Sequence, residues 1–345
     1  MSSREEQKEV KAVGGSRVWQ VSDRDREFFA REIDSFLPRR IFDAHCHLYR
    51  CVDFRAATPA LAASGPEVAD WQCFVRHMEA ITPGRVYSAL AFPFPALGLD
   101  ASGANEFLAA EMAAHPGVLR GSMIIEPWMD PEFVRESVQR YGFSGLKCYH
   151  LFATTKPTFE AAVEAYLPEE HVRVAHDLGL TTTLHMVRAR AIADPVNQEA
   201  IGRLARKYPN ARWVLAHAAR GFNPHHTIEG IHSMRGLGNI WCDTSAVTEA
   251  GAFEAIVREL GVDRLVYGAD FPVTHLRGRC VAIGDSFLWL SPDNTDFGAA
   301  YGAVEPALIQ LESLRALKQA CWNLRLGDAD VERIFSTNAE ALFIP

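Results

Sequence analysis

Two patterns of hydrophobic and polar positions alternate along this chain. Short runs rich in valine, isoleucine, leucine and aromatic residues are followed by longer segments with helical periodicity. The eight short runs, which we predict to be strands, are residues 40–47, 85–92, 118–126, 143–150, 180–186, 212–217, 239–245 and 264–271. Strands that alternate with helices or long connections are typical of a parallel α/β fold.

The segments between the runs carry apolar residues at helical spacing. The clearest predicted helices are residues 105–115, 131–141, 159–167, 169–179, 197–208 and 250–260, and another is expected at roughly 304–324. A short helix is also predicted over residues 22–37, with Ser22 as its N-cap. We therefore expect an N-terminal extension with a short helix over residues 1–38 and one barrel domain over residues 39–345.

Two sheet layouts fit eight parallel strands, a closed barrel and an open doubly wound sheet. The first strand ends in His-Cys-His, and no glycine-rich phosphate-binding turn follows it. This favours a (β/α)8 TIM barrel. Residues 273–303, after the eighth strand, interrupt the alternation. In a barrel such a long loop lies at the C-terminal face, over the site. A surface excursion or a contact between subunits is the alternative.

Composition and charge narrow the class of protein. The formal net charge of −8 argues against a general nucleic-acid binder, which needs a basic surface. No apolar run reaches the ~18–20 residues that cross a bilayer, and the polar N-terminus does not resemble a secretory signal. Seven cysteines without a CxxC pair indicate reduced thiols. We expect a cytoplasmic protein that acts on a small molecule, and a homodimer remains open.

The strongest chemical signal is the segment Asp43-Ala44-His45-Cys46-His47. Side chains two apart on a strand point the same way, so His45 and His47 can bind one metal ion together. The alternative is a pair of core histidines with hydrogen-bond partners. Four further polar residues lie at or near the C-terminal ends of predicted strands, where a barrel gathers its catalytic groups: Lys147, His185, His217 and Asp270.

Burying several imidazoles and a carboxylate together is costly unless a partner compensates them. A bound divalent cation supplies that partner. Imidazole and carboxylate ligands suit zinc, and they also suit manganese, iron or cobalt. The spacing of the residues does not choose among these metals.

Taken together, these residues resemble the amidohydrolase superfamily, and within it the amidohydrolase-2 branch. The resemblance runs from about Ile41 to the C-terminal segment STNAEALF. It implies a metal-dependent (β/α)8 barrel that hydrolyses amides or lactones. The branch also includes hydratases and nonoxidative decarboxylases such as aminocarboxymuconate semialdehyde decarboxylase.

The resemblance also implies a role for each residue. His45, His47 and His185 would be metal ligands, and Asp270 would bind the metal and shuttle a proton. His217 would polarise the substrate or hold a second ion. Lys147 matches a lysine that is carboxylated and bridges two metals in binuclear relatives. We favour one ion, with zinc as the first choice, and Lys147 would then bind substrate or support the barrel. A binuclear site is the alternative.

A metal-activated water is the nucleophile that this resemblance implies. Metal binding lowers the pKa of water from ~15.7 to ~7, and Asp270 would take the proton and return it to the leaving group. We therefore expect cleavage of a C–N or C–O bond. One alternative is a decarboxylase. Some decarboxylase relatives carry Glu at the position of Asp43, so this hypothesis is less favoured. The second alternative is a barrel that binds a ligand without turnover.

The sequence indicates least about which residues contact the substrate. Arg188, Arg220 and Arg277 fall in loops at the expected active face, and a guanidinium suits a carboxylate or phosphate. Tyr149 and His150 end the fourth strand and are candidates for the pocket lining. We therefore expect a small, anionic substrate. Arginines that bond loop carbonyls or acidic neighbours are the alternative.

Overall fold

The computed structural model describes residues 19–297 and 305–343. Its centre is a sheet whose strand order is β2-β1-β3-β4-β5-β6-β7-β8-β9. The strands are β1 (Arg40–Arg50), β2 (Val68–Ala69), β3 (Val86–Pro93), β4 (Leu119–Ile124), β5 (Gly145–Cys148), β6 (Thr181–Leu184), β7 (Arg212–Leu215), β8 (Ile240–Asp243) and β9 (Leu265–Val266). In this sheet the two-residue strand β2 pairs antiparallel with the end of β1, and the other eight strands run parallel.

Backbone hydrogen bonds join the last parallel strand to the first. The N–H of Ala44 donates to the Tyr267 carbonyl at 2.8 Å, and the N–H of Asp270 donates to the His45 carbonyl at 2.7 Å. The Asp43 carboxylate adds a link, because it accepts from the N–H of Ala269 at 2.9 Å. The sheet is thus curled onto itself. The predicted α/β barrel is confirmed, and each of the eight predicted runs overlaps one of its parallel strands.

The helices surround this sheet in chain order. They are α1 (Asp23–Phe28), α2 (Ala60–Ala63), α3 (Trp71–Ile81), α4 (Ala101–Ala114), α5 (Pro131–Tyr141), α6 (Glu169–Leu178), α7 (Pro195–Lys207), α8 (Ala216–Arg220), α9 (Pro224–Gly230), α10 (Ala250–Leu260), α11 (Ile309–Asn323), α12 (Asp328–Glu332) and α13 (Asn338–Phe343). Ser22 caps α1 as predicted, and a π-helical turn extends it to Ile33. None of these helices combines the length and the apolar character that a bilayer span requires.

The helix predicted over residues 159–167 is wrong. Two single 3-10 turns, Thr158–Glu160 and Val163–Ala165, stand there instead. Prolines at both ends, Pro157 and Pro168, restrict the backbone of the segment. Ala161 and Val163 are both buried although they are two residues apart, which a helix with one buried face does not allow.

The loop after the barrel contains a hairpin that the sequence analysis missed. Strands β10 (Arg279–Ile283) and β11 (Ser286–Leu290) pair antiparallel and form a separate two-stranded sheet. Gly284, at φ 56°, begins the two-residue turn between them. A Gly-Asp pair between two β-type runs is a hairpin signal that was available in the sequence. Residues 298–304 of the predicted 273–303 loop lie outside the described residues.

Candidate metal centre

Side chains from the first, sixth and eighth parallel strands meet at one end of the barrel. Asp270 Oδ1 lies 3.2 Å from His47 Nε2 and 3.4 Å from His45 Nε2. Asp270 Oδ2 lies 3.9 Å from His217 Nδ1. Potential ligand atoms of His45, His217 and Asp270 all lie within 4.8 Å of one another, and the three residues are buried. The fold therefore brings residues more than 200 positions apart in the chain into one cluster.

The hydrogen bonds of the two β1 histidines fix which nitrogen of each faces the cluster. His45 Nδ1 lies 2.8 Å from Asp243 Oδ2, and His47 Nδ1 lies 3.3 Å from the Pro93 carbonyl oxygen. Both partners accept hydrogen bonds, so we assign the ring protons to Nδ1. Each Nε2 then presents a lone pair to the Asp270 carboxylate, which is itself an acceptor.

The two Nε2 lone pairs and the Asp270 carboxylate are all hydrogen-bond acceptors, so a positively charged group is needed between them. Burial lowers the pKa of His45 to about 3, so this imidazole does not supply a second proton at neutral pH. Burial acts against the charged form of Asp270 as well, and the lone pairs of His45 and His47 donate no proton to its carboxylate. An ionised carboxylate beside two imidazole lone pairs fits a divalent cation.

Asp243, at the end of β8, is a site residue that the sequence analysis did not identify. Its carboxylate accepts from His45 Nδ1 and from the backbone N–H of His217, both at 2.8 Å. The Ser245 hydroxyl donates to the same carboxylate at 2.5 Å and lies 2.9 Å from His217 Nδ1. Burial raises the pKa of Asp243, but His45 and the other donors outweigh burial and bring it to about 2. An acid at the end of a predicted strand was the available signal.

His217 lies on an unusual turn rather than on a strand. Strand β7 ends at Leu215, and residues 217–220 all have positive φ between 52° and 59°. This left-handed conformation is costly for residues other than glycine. It is held by the bond from the His217 N–H to Asp243 and by a 2.6 Å bond from the Gly221 N–H to the His217 carbonyl.

His185 sits beside this cluster and contacts it through His217. Its Nδ1 lies 3.0 Å from His217 Nε2, and its ring centre lies 4.6 Å from that of Tyr149, with the two rings tilted by 45°. The compact ligand group therefore contains His217 where the sequence analysis had assigned His185. Both imidazoles face the same cavity.

Lys147 approaches the same nitrogen of His45 that faces Asp270. Its ammonium nitrogen is 3.5 Å from His45 Nε2 and 4.1 Å from the centre of the Phe92 ring. Burial lowers the pKa of Lys147 to about 8. Lys147 is thus next to the predicted metal position but does not line the cavity above it.

A cavity of about 730 Å³ opens above the cluster, within the range of small-molecule sites. His47, His185, His217 and Asp270 form its floor. Tyr149 also lines it, and among the described residues its hydroxyl has no hydrogen-bond partner. His150 does not line it, because this ring turns away to bond Thr158 Oγ1 at 3.3 Å.

The three arginines expected to hold a substrate anion have other partners. Arg188 donates to the Glu160 carbonyl at 2.7 Å and pairs with Asp194 at 2.9 Å. Arg220 donates to the Arg188 carbonyl at 2.8 Å. Neither lines the cavity.

Arg277 does line the cavity, but its guanidinium is committed to the N-terminal extension. Two bonds, of 2.5 Å and 3.0 Å, join it to the Asp25 carboxylate. Each of the three guanidinium groups thus bonds a carbonyl or carboxylate of the protein itself.

Comparison with known proteins agrees with the barrel fold. Residues 40–344 match the model of the family described as amidohydrolase. The curated relative L-fucono-1,5-lactonase from Burkholderia ambifaria is 31% identical over 150 residues. That alignment covers 39% of this chain and 45% of the lactonase, so the match spans less than half of either protein.

Solved structures share the fold at low sequence identity. An amidohydrolase from Burkholderia multivorans with bound zinc has a TM-score of 0.56 and 14% identity, covering 88% of this chain and 98% of that one. A probable 2-pyrone-4,6-dicarboxylic acid hydrolase from Acinetobacter baumannii has a TM-score of 0.55 and 16% identity, with the same two coverages. These similarities establish the fold of the chain.

Proposed function

Because this chain belongs to the amidohydrolase family, we propose that it is a metal-dependent hydrolase of lactone, ester or amide bonds. One observation carries the proposal: buried imidazole lone pairs and the Asp270 carboxylate converge on the floor of a ligand-sized cavity. The partial similarity to a lactonase makes lactones the first substrate class to test.

His45, His47 and Asp270 would hold the cation, with His217 or His185 completing the set. A divalent cation bound there supplies Lewis acidity and lowers the pKa of water. Zinc suits these ligands, and manganese, iron and cobalt suit them too. Lys147, 3.5 Å from His45, leaves a second ion as an alternative.

The chain's own residues account for the proton transfers. Asp270 is buried and ionised, and its Oδ2 faces His217 across 3.9 Å at the cavity floor. We assign to Asp270 the acceptance of the proton from the attacking water and its return to the leaving oxygen or nitrogen. His185 and His217 line the cavity beside Asp270, where an imidazole N–H can bond the substrate carbonyl.

Exchange of Asp270 tests the proton shuttle. Asp270→Asn keeps the shape of the side chain but removes its basicity, so we expect kcat to fall by about 10²–10⁴-fold. Asp263→Asn is the matched control, since Asp263 pairs with Arg333 at the surface and does not line the cavity. Thermal unfolding of both variants checks that the fold is intact. Full activity of a folded Asp270→Asn variant contradicts the assignment.

A substrate panel separates hydrolysis from the two alternatives. We expect purified protein to hydrolyse members of a lactone, ester and amide panel. Release of carbon dioxide from carboxylated aromatic acids, without hydrolysis, would instead establish a decarboxylase. Protein that holds no metal and turns over neither panel would be a ligand-binding barrel.

A further inference from the structure

The walls of the cavity differ chemically from its floor. Nine of its seventeen lining residues are apolar, and they come from loops, from the β10–β11 hairpin and from the first residue of α11. Phe94 follows β3, Phe222 follows α8, and Trp289 and Leu290 end the β10–β11 hairpin. A wall of this composition excludes water and gains by covering apolar surface.

The aromatic residues of the wall reach down to the candidate metal centre. The Phe222 ring is 5.1 Å from the ring of His217 and 5.3 Å from that of Trp289. The Phe94 ring is 5.1 Å from that of His47. A substituent next to the scissile carbonyl would therefore contact this apolar wall directly above the metal centre.

A charged substrate group finds no available cation on this wall. Arg277 is the one arginine or lysine among the described residues that line the cavity. Both of its terminal nitrogens bond the Asp25 carboxylate, and they also donate to the carbonyls of Gln20 and Pro306. Asp25 is buried and neutralises this guanidinium. The other charged side chain of the wall, Asp293, is exposed and would repel an anion.

We propose that the substrate carries an uncharged aromatic or aliphatic group, which binds between Phe94, Phe222 and Trp289. This inference rests on the proposed hydrolysis and replaces the expectation of an anionic substrate. Burying an unpaired carboxylate against such a wall is costly, whereas burying methylenes is favourable. A polar sugar lactone gains little from these residues.

A matched series of lactones tests the inference on the full-length, metal-loaded protein. The series has one ring and differs in its substituent: hydrogen, alkyl chains of increasing length, phenyl, polyhydroxyl and carboxylate. We expect kcat/KM to rise about fourfold for each buried methylene. The carboxylated lactone should be turned over at least about 100-fold less efficiently than the phenyl lactone.

Trp289→Ala tests whether the preference for apolar substituents depends on the cavity wall. This variant should reduce the ratio of kcat/KM for phenyl over unsubstituted lactone by about tenfold. Trp322→Ala is the matched control, because Trp322 is 80% exposed on α11 and does not line the cavity. Equal ratios in the two variants overturn the role of Trp289.

The outcomes distinguish this inference from the proposed function. Preference for the carboxylated or polyhydroxylated lactone overturns the inference and leaves the hydrolase standing. If no lactone, ester or amide is hydrolysed, the proposed function fails. The inference is then tested by calorimetry, which compares the binding of a phenyl-substituted cyclic ether with that of its carboxylated analogue. Tighter binding of the neutral ether supports it. Tighter binding of the carboxylate, or no binding of either, overturns it.

Discussion

The floor and the wall of the cavity are built in different ways. The candidate metal centre at the floor consists of His45 and His47 on β1 and of His217 and Asp270 beyond the ends of β7 and β9. Asp243 fixes it from behind, because its carboxylate accepts from His45 Nδ1 and from the His217 N–H. The wall consists of apolar side chains on loops and on a hairpin outside the barrel sheet. We therefore expect the reaction to depend on one part of the molecule and substrate preference on another, so that substitutions in each change kcat and kcat/KM differently.

The largest expected effect is at the floor. His45→Ala removes the Nε2 that faces Asp270 and leaves the buried Asp243 carboxylate without its ring partner. We expect bound metal to be lost and kcat/KM to fall by about 10³-fold or more. Metal analysis and kinetics on the same preparation check this. His232→Ala, an exchange at an exposed histidine, is the control. A His45→Ala variant with full metal and full activity would show that His45 is not part of the centre.

A smaller effect is expected at Asp243, which bonds His45 and the backbone of His217 but does not line the cavity. Asp243→Asn keeps the size of the side chain but weakens the bonds to His45 Nδ1 and to the His217 N–H. Metal affinity should drop by about 10–100-fold, and excess metal should restore most of the activity. Competition with a chelator measures the affinity. A loss of kcat that saturating metal does not repair argues that Asp243 acts on substrate and not through His45.

The connection between the wall and the N-terminal extension should affect stability rather than chemistry. Asp25 bonds Arg277 twice and caps α1 together with Ser22. Asp25→Asn should lower the free energy of unfolding at pH 7 by about 1–3 kcal/mol, because these are hydrogen bonds to a buried charge. Urea unfolding measures it. Asp23→Asn is the control, since the Asp23 side chain on the same helix is fully exposed.

The pH dependence of that stability has a definite sign. Burial would raise the pKa of Asp25, but hydrogen bonds from Arg277 and Ser22 hold it below its ordinary value of 3.8. Its contribution is therefore complete above pH 3.8 and is lost as the pH falls through the folded-state pKa. The stability difference between wild type and Asp25→Asn should shrink at more acidic pH. A difference that grows on acidification contradicts the assigned partners.

The same contrast explains what the sequence could predict. Alternating strands and helices specify the barrel, and a barrel places residues at strand ends on one face, so His45, His47, His217 and Asp270 were identifiable. The sequence did not indicate that His217 would lie closer to His45 and Asp270 than His185 does, because this placement depends on the left-handed turn after β7. The partners of Arg188, Arg220 and Arg277 were equally inaccessible. Each bonds a group on a distant loop or helix, and loop conformation follows no simple periodicity.

The most direct test of the central claim is an anomalous difference map from crystals of the metal-loaded protein, recorded at the absorption edge of the bound metal. The account predicts a peak on the cavity floor, about 2.0–2.2 Å from the Nε2 atoms of His45 and His47 and from a carboxylate oxygen of Asp270. A floor without a peak in protein that contains stoichiometric metal, or a peak bound by other residues, would contradict it.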